Sequence, residues 1–179
     1  MTPCYVSGKG MHASEPTWSF KVSVIEFLET SGLGFDTRFR YYRSRFADMD
    51  MLSLARMVCD PIEYYDPDWP AFLSSRSGEN EDELVVEYML KLDKQFQAQA
   101  QLAIYCFDEA GFGSGVNAMR FIQRGVPILG FYHHDAKEKG VNISNILQLR
   151  YEFPELVTLH AYYNTEEILA AVKRRLSAE

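Results

Sequence analysis

The sequence predicts an α/β three-layer sandwich, a parallel sheet of about five strands with helices on both faces. Three observations lead there. Short apolar runs rich in β-branched and aromatic residues alternate with longer stretches whose apolar residues recur at helical spacing. The segment Gln101–Phe131 reads as one βαβ unit: an apolar run ending at Asp108-Glu109, the glycines Gly111, Gly113 and Gly115, a helical stretch Val116–Arg124, and a second apolar run from Pro127. The 179 residues, 47% apolar and 24% charged, suit a single domain, 1–179, with a full core.

Taken in order, Pro3–Ser7 is a first strand broken by Gly8-Lys-Gly10. Lys9 there either faces a phosphate or is a solvated turn residue. His12, Ser14 and Glu15 form a loop, Pro16 suits a first helical turn, and Phe20, Val24, Ile25, Phe27 and Leu28 give a helix stopped at Ser31-Gly32. Phe35–Tyr42 alternates as a second strand or its approach. Ser44–Cys59 reads as a second helix ended by Pro61, and Asp60–Asn80, rich in Pro, Asp and Ser, as a long loop. Glu81–Ala100 is the clearest helix, with Val85, Met89, Leu92 and Phe96 on one face and Asp93 in its middle. Gly125 closes the helix of the βαβ unit. His133-His134-Asp135 ends the next strand, Lys137–Asn142 is loop, Ile143–Leu149 a short helix and Leu156–Ala161 the last strand. Asn164 or Thr165 caps a final helix, acidic at its start (Glu166, Glu167) and basic at its end (Lys173, Arg174, Arg175), as the helix dipole prefers. The whole is flavodoxin- or Rossmann-like.

Composition excludes several classes. A formal charge of −7 with no basic cluster argues against a nucleic-acid partner. No apolar run approaches transmembrane length and Met1 leads straight into a strand, so neither a membrane partner nor a signal peptide is expected. Cys4, Cys59 and Cys106 lack metal-type spacing and read as buried thiols of a reducing compartment, which makes the expected location cytoplasmic. Adjacent strand residues point to opposite faces, so His133 and His134 cannot serve one metal; no metal and no cofactor are expected. The aromatic clusters Phe39–Tyr42, Tyr64-Tyr65, Trp69–Phe72 and Tyr162-Tyr163 are assigned to core and subunit interface.

In open parallel sheets ligands gather at a βα turn, where backbone N–H groups meet anions and glycine permits close approach. A tight turn that merely needs positive φ is the plainer explanation of three glycines. Their spacing is not the dinucleotide G-x-G-x-x-G, and there is no P-loop lysine.

The series Asp93, Leu102–Phe107, Gly113-Ser-Gly115, Asn117 and Gly125-Val-Pro127-Ile-Leu resembles the nucleoside 2-deoxyribosyltransferase superfamily, which includes N-glycosidases of nucleoside 5′-monophosphates. The closing Val157–Leu176 and, more loosely, the opening Tyr5-Val-Ser-Gly8 resemble it too; residues 30–80 do not. The resemblance implies a nucleoside or nucleotide ligand, with cleavage or transfer at the N-glycosidic bond. Alternatively, the chain is a catalytically silent sensor or interaction module on the same fold. Tyr5, Gly8, Gly111, Gly113, Ser114 and Gly115 are then ligand-binding residues, Asn117 hydrogen-bonds the sugar, and Asp93 or Asp108 supplies the acid–base function. Asp93 also fits a solvated helix position, and Asp108-Glu109 an acidic strand end that caps a loop. Family sites are completed by a neighbouring subunit, which implies a homodimer or larger assembly. Two departures stand out. Family enzymes carry a nucleophilic Glu where this chain has Asn117, and a carboxamide cannot form the glycosyl ester. Gly111 replaces a Ser that resembles a phosphate ligand in monophosphate-using members.

Overall fold

The computed structural model describes residues 1–9, 13–59, 66–138, 140–141 and 143–178. Gly10, His12, Asp60–Tyr65 and Asn142, which figure in the sequence expectations, lie outside the described residues.

Strands β1 (Thr2–Ser7), β2 (Gly34–Asp36), β3 (Leu102–Cys106), β4 (Ile128–His133) and β5 (Val157–Tyr162) form one parallel sheet in the order β2-β1-β3-β4-β5. Among the described residues eight helices flank it: α1 (Glu15–Ser31), α2 (Thr37–Arg43), α3 (Met51–Met57), α4 (Trp69–Ser75), α5 (Glu81–Gln99), α6 (Phe112–Gln123), α7 (Ile143–Glu152) and α8 (Thr165–Ser177). This is the expected three-layer, flavodoxin- or Rossmann-like fold. The chain leaves β1 toward β2, then returns past β1 to β3. Right-handed crossovers therefore put α1 on one face and α5 on the other.

Side-chain alternation shows the two layers. Tyr5 packs on Phe121 of α6 (ring centroids 5.5 Å apart), whereas Phe20 of α1 packs on Phe131 of β4 (5.6 Å). β3 is buried along its whole length, as a central strand covered on both faces must be. Tyr105, Phe121, Phe131, Ile104 and Leu102 form the middle of one continuous core. Cys4, Cys59 and Cys106 are buried and form no disulfide among the described residues.

Helix ends follow local chemistry. Gly32 and Gly125, at φ 68° and 69°, end α1 and α6 in the left-handed conformation. Asn164 accepts from Glu167 N (3.1 Å) while the Glu167 carboxylate accepts from Tyr163 N (2.7 Å), a reciprocal box that starts α8. Arg124, just past α6, donates to the carbonyls of Gln97 and Ala98 at the end of α5, a helix with no basic residue in its own last turn.

The structure corrects the middle of the chain. Strand β2 stops at Asp36, because the Asp36 carboxylate accepts from Arg38 N (3.0 Å) and Phe39 N (2.9 Å) and so caps α2; Phe39 and Tyr42 are buried one helical turn apart. The helix expected over Ser44–Cys59 is only Met51–Met57, started by Asp50 accepting from Ser53 N (3.0 Å). Within the expected loop Asp60–Asn80 lies α4, with Pro70 in its first turn. On α5 the buried residues include Leu84 and Tyr88 as well as Leu92 and Phe96, with Val85 and Met89 half-buried. Helix α6 starts at Phe112 rather than Val116, so Gly113 and Gly115 are helical, and α7 continues to Glu152.

Candidate functional site

Strand order reverses at β1, so the carboxyl ends of β1 and β3 border the crevice where open α/β sheets take ligands. The residues there form a polar cluster. Tyr5 donates its hydroxyl to Asp93 Oδ1 at 2.9 Å, which joins β1 to α5. The Arg38 guanidinium lies 4.6 Å from the Tyr5 ring centroid, a cation–π contact.

Arg38 and Asp36 also solve a backbone problem. β1 extends beyond β2, whose last paired residue, Asp36, faces Cys4. The N–H and C=O of Val6, which point toward the missing continuation of β2, would otherwise be orphaned. Asp36 Oδ2 accepts from Val6 N (2.9 Å) and Arg38 donates to Val6 O. Two side chains thus replace two rungs of the ladder, and Arg38 Nε lies 3.8 Å from Asp36 Oδ1.

Burial raises the proton affinity of the Asp93 carboxyl, and the charges of Arg38 and Arg120 and the bond from Tyr5 only partly offset it. Burial, then the neighbouring Asp93, holds the Tyr5 hydroxyl well above its ordinary value. The second Asp93 oxygen accepts no hydrogen bond from the described residues and is not sealed from solvent. Tyr105, directly across from Ser7 in register, has its hydroxyl buried on the same face without a hydrogen bond of good geometry.

The glycine turn is not a tight turn of positive φ. Gly111 is the extended N-cap of α6, without a side-chain cap bond, and none of Gly111, Gly113 and Gly115 has positive φ. A Cβ at any of the three would meet nothing within 4 Å, so their faces are open. Ser114, one residue on from Gly113, is buried. Gly8 is tight by contrast: a Cβ there would come 3.3 Å from Thr17 Cγ2 and 3.4 Å from Cys106 Cβ. Asn117 accepts from Arg120 Nη1 at 2.8 Å.

The two acidic residues at the end of β3 have structural partners. Asp108 accepts from His133 N, from the Tyr162 hydroxyl and, at 3.8 Å, from Cys106 Sγ, so it ties β3 to β4 and β5. Burial and that adjacent carboxylate push the Cys106 thiol up to about 12, which leaves it inert. Glu109 accepts from Ser14 N and Ser14 Oγ, both at 2.8 Å, with Lys9 Nζ 3.6 Å away, and so covers the start of α1.

Tyr5 and Asp93 are thus brought together, Asp108 is committed elsewhere, and Asn117 lies on α6 in contact with Arg120. Arg38, Asp36, Arg120 and Tyr105 were missed from sequence. Only Arg38 carried a signal, as one of four arginines in the aromatic run Phe35–Phe46. Among the described residues no group of three or more His, Cys, Asp or Glu side chains is placed to hold a metal, and no helix is long and apolar enough to cross a membrane.

Fold and site define the class: an open parallel α/β protein with a partly buried Tyr–Asp–Arg cluster beside its topological switch point. No protein-family model and no curated protein matches the chain in sequence.

Proposed function

We propose that the protein binds a nucleoside or nucleotide at the carboxyl ends of β1 and β3 and hydrolyses its N-glycosidic bond. The observation that carries this reading is Asp93, half-buried, oriented by the Tyr5 hydroxyl and left with an open oxygen. Cleaving a base from a sugar requires a proton on the departing nitrogen and a nucleophile at the anomeric carbon. A carboxyl whose proton affinity is raised by burial suits the first task. As the C–N bond breaks, Asp93 gives its proton to the base; water then adds to the sugar cation and returns a proton to Asp93. Asn117 forms no ester intermediate; in this scheme its amide hydrogen-bonds a sugar hydroxyl. Asp108, with three intramolecular donors, is unsuited to acid–base work.

The contact between Asn117 and Arg120 favours one alternative, a binding module that no longer turns over. Calorimetry and base release on a panel of nucleosides and 5′-monophosphates separate the two. Saturable binding with base release lost in Asp93→Asn supports hydrolysis, whereas binding without release makes the protein a sensor. No binding by any member of the panel overturns the site. Gly113→Val, whose side chain enters open space, should abolish ligand binding while leaving the fold mostly intact, and unchanged affinity would move the site elsewhere. The same reading takes the protein as a homo-oligomer; Val86 and Leu90, exposed one turn apart on α5, offer a face for it. A sedimentation run showing only a 20.6 kDa species would sink that part.

A further inference from the structure

The polar cluster lies on the α5 flank of α6, and a second recess lies on its other flank. Between α6 and α7, beneath the loop that follows β3, is a groove of about 850 Å³ walled mainly by Val116, Met119, Ile146 and Leu149. That volume is within the range of roughly 300–1,000 Å³ usual for small-molecule sites. A nucleoside at the Asp93 cluster would leave it empty. We infer, resting on the function proposed above, that the ligand is a dinucleotide, two nucleosides joined by a pyrophosphate, whose second base occupies this groove.

Three features point to that chemistry. Phe112, at the rim, is 91% exposed, an unusual position for a phenylalanine and a ready face for stacking a base. Besides Arg120, Gln123 and Asn145 are the polar side chains lining largely apolar walls, where their amides can pair with the edge of a heteroaromatic ring; a purely aliphatic ligand would leave them unpaired. Arg120 connects the two recesses. It lines the groove, donates to Asn117 on the other flank, and its charge is felt at Asp93 and Tyr105. It makes no ion pair among the described residues, so most of its donors are available to a bridging pyrophosphate. Gly111 and Gly115 line the groove, and a Cβ at either would meet nothing within 4 Å, so no side chain stands over this end of α6.

Titration calorimetry with NAD⁺, FAD and diadenosine pyrophosphate, against AMP and adenosine, tests the inference. At least one dinucleotide should bind about tenfold or more tighter than AMP, the worth of one stacked base. Phe112→Ala, harmless to folding at so exposed a position, should weaken that dinucleotide about tenfold and leave AMP unchanged. Val116→Trp, which fills the groove, should bring the dinucleotide down to the affinity of AMP. If AMP binds as tightly as every dinucleotide, or Phe112→Ala weakens both alike, the inference fails while the nucleotide reading stands. If no probe binds, the reading of the site falls too.

Discussion

Asp66 anchors the segment that carries α4, and removing its carboxyl group should be among the costliest single changes outside the core strands. Asp66 is 4% exposed. It accepts from the Tyr42 hydroxyl on α2, from the Tyr88 hydroxyl on α5 at 2.6 Å, and from Asp68 N at 2.9 Å. In Asp66→Ala the amide can find water, but both hydroxyls belong to buried tyrosines. At about 1–3 kcal/mol for each donor left unsatisfied, the two cost about 2–6 kcal/mol. Removing a buried polar group offsets part of this, for a net loss of about 3 kcal/mol. For a chain of this length each kcal/mol moves Tm by about 2–4 °C, so the midpoint should fall by about 6–12 °C. Circular dichroism melts measure it, and Trp69, stacked on Phe72 and edge-on to Tyr88, reports local release by fluorescence. Asp66→Asn, which keeps one acceptor oxygen, should lose about half as much. In a Tyr88→Phe background Asp66→Ala should cost less by the share of that hydroxyl, about 1–3 kcal/mol. A melt of Asp66→Ala superimposable on wild type would refute the reasoning.

Asp93→Asn should stabilise the protein at neutral pH. Burial raises the folded-state proton affinity of Asp93, so its contribution to stability is full below the unfolded value of about 3.9 and is lost as pH rises through the folded value. The variant should melt higher than wild type at neutral pH, with the gap closing toward acid; a lower neutral Tm counts against the buried-carboxyl account. Gly130→Ala should overpack the core, because its Cβ would come 2.5 Å from Phe107 Cε2 and 2.6 Å from Leu159 Cδ2. A loss of about 1–3 kcal/mol is expected in urea titration, and an unchanged midpoint would show that those side chains yield freely. If the proposed function holds, Asn117→Glu should increase base release from a bound nucleoside and give a sugar adduct by mass spectrometry, as a carboxylate there supplies a nucleophile. A variant that binds but stays inert favours the sensor.

The legible parts of the chain were those whose patterns are local. The periodicity of α1 and α5, the end charges of α8, the apolar runs of β3 and β4, and the caps at Gly32, Gly125 and, of the two candidates for α8, Asn164 are set by residues within a few positions of one another, and the structure has them where the sequence put them. Between residues 35 and 80 the local signal misled. Phe39 and Tyr42 fit an alternating strand on paper, but the Asp36 carboxylate capping two amides makes that stretch a helix. Asp66 could not be read at all, since its value lies in hydroxyls 24 and 22 positions away. The same holds for the site. Tyr5 and Asp93, 88 positions apart, were each visible as candidates, but their pairing was not. Asp108 looked as good as Asp93 until its donors from β4 and β5 were known.

The shortness of β2 and the electrostatics of the site have one cause. A three-residue edge strand leaves Val6 of β1 without its outer rungs, and the chain supplies them from the first turn of α2. The guanidinium that closes the ladder at Val6 O is therefore fixed over the Tyr5 ring, where its charge acts on Asp93. Lengthening β2 would satisfy the same backbone groups without placing a cation in the site. One short segment at the start of α2 thus supplies both the missing rungs and a cation beside the cluster. That cation limits how far burial can raise the proton affinity of Asp93. Replacing Arg38 should thus disturb the strand edge and the acid together, which is why the two cannot be tuned independently in this fold.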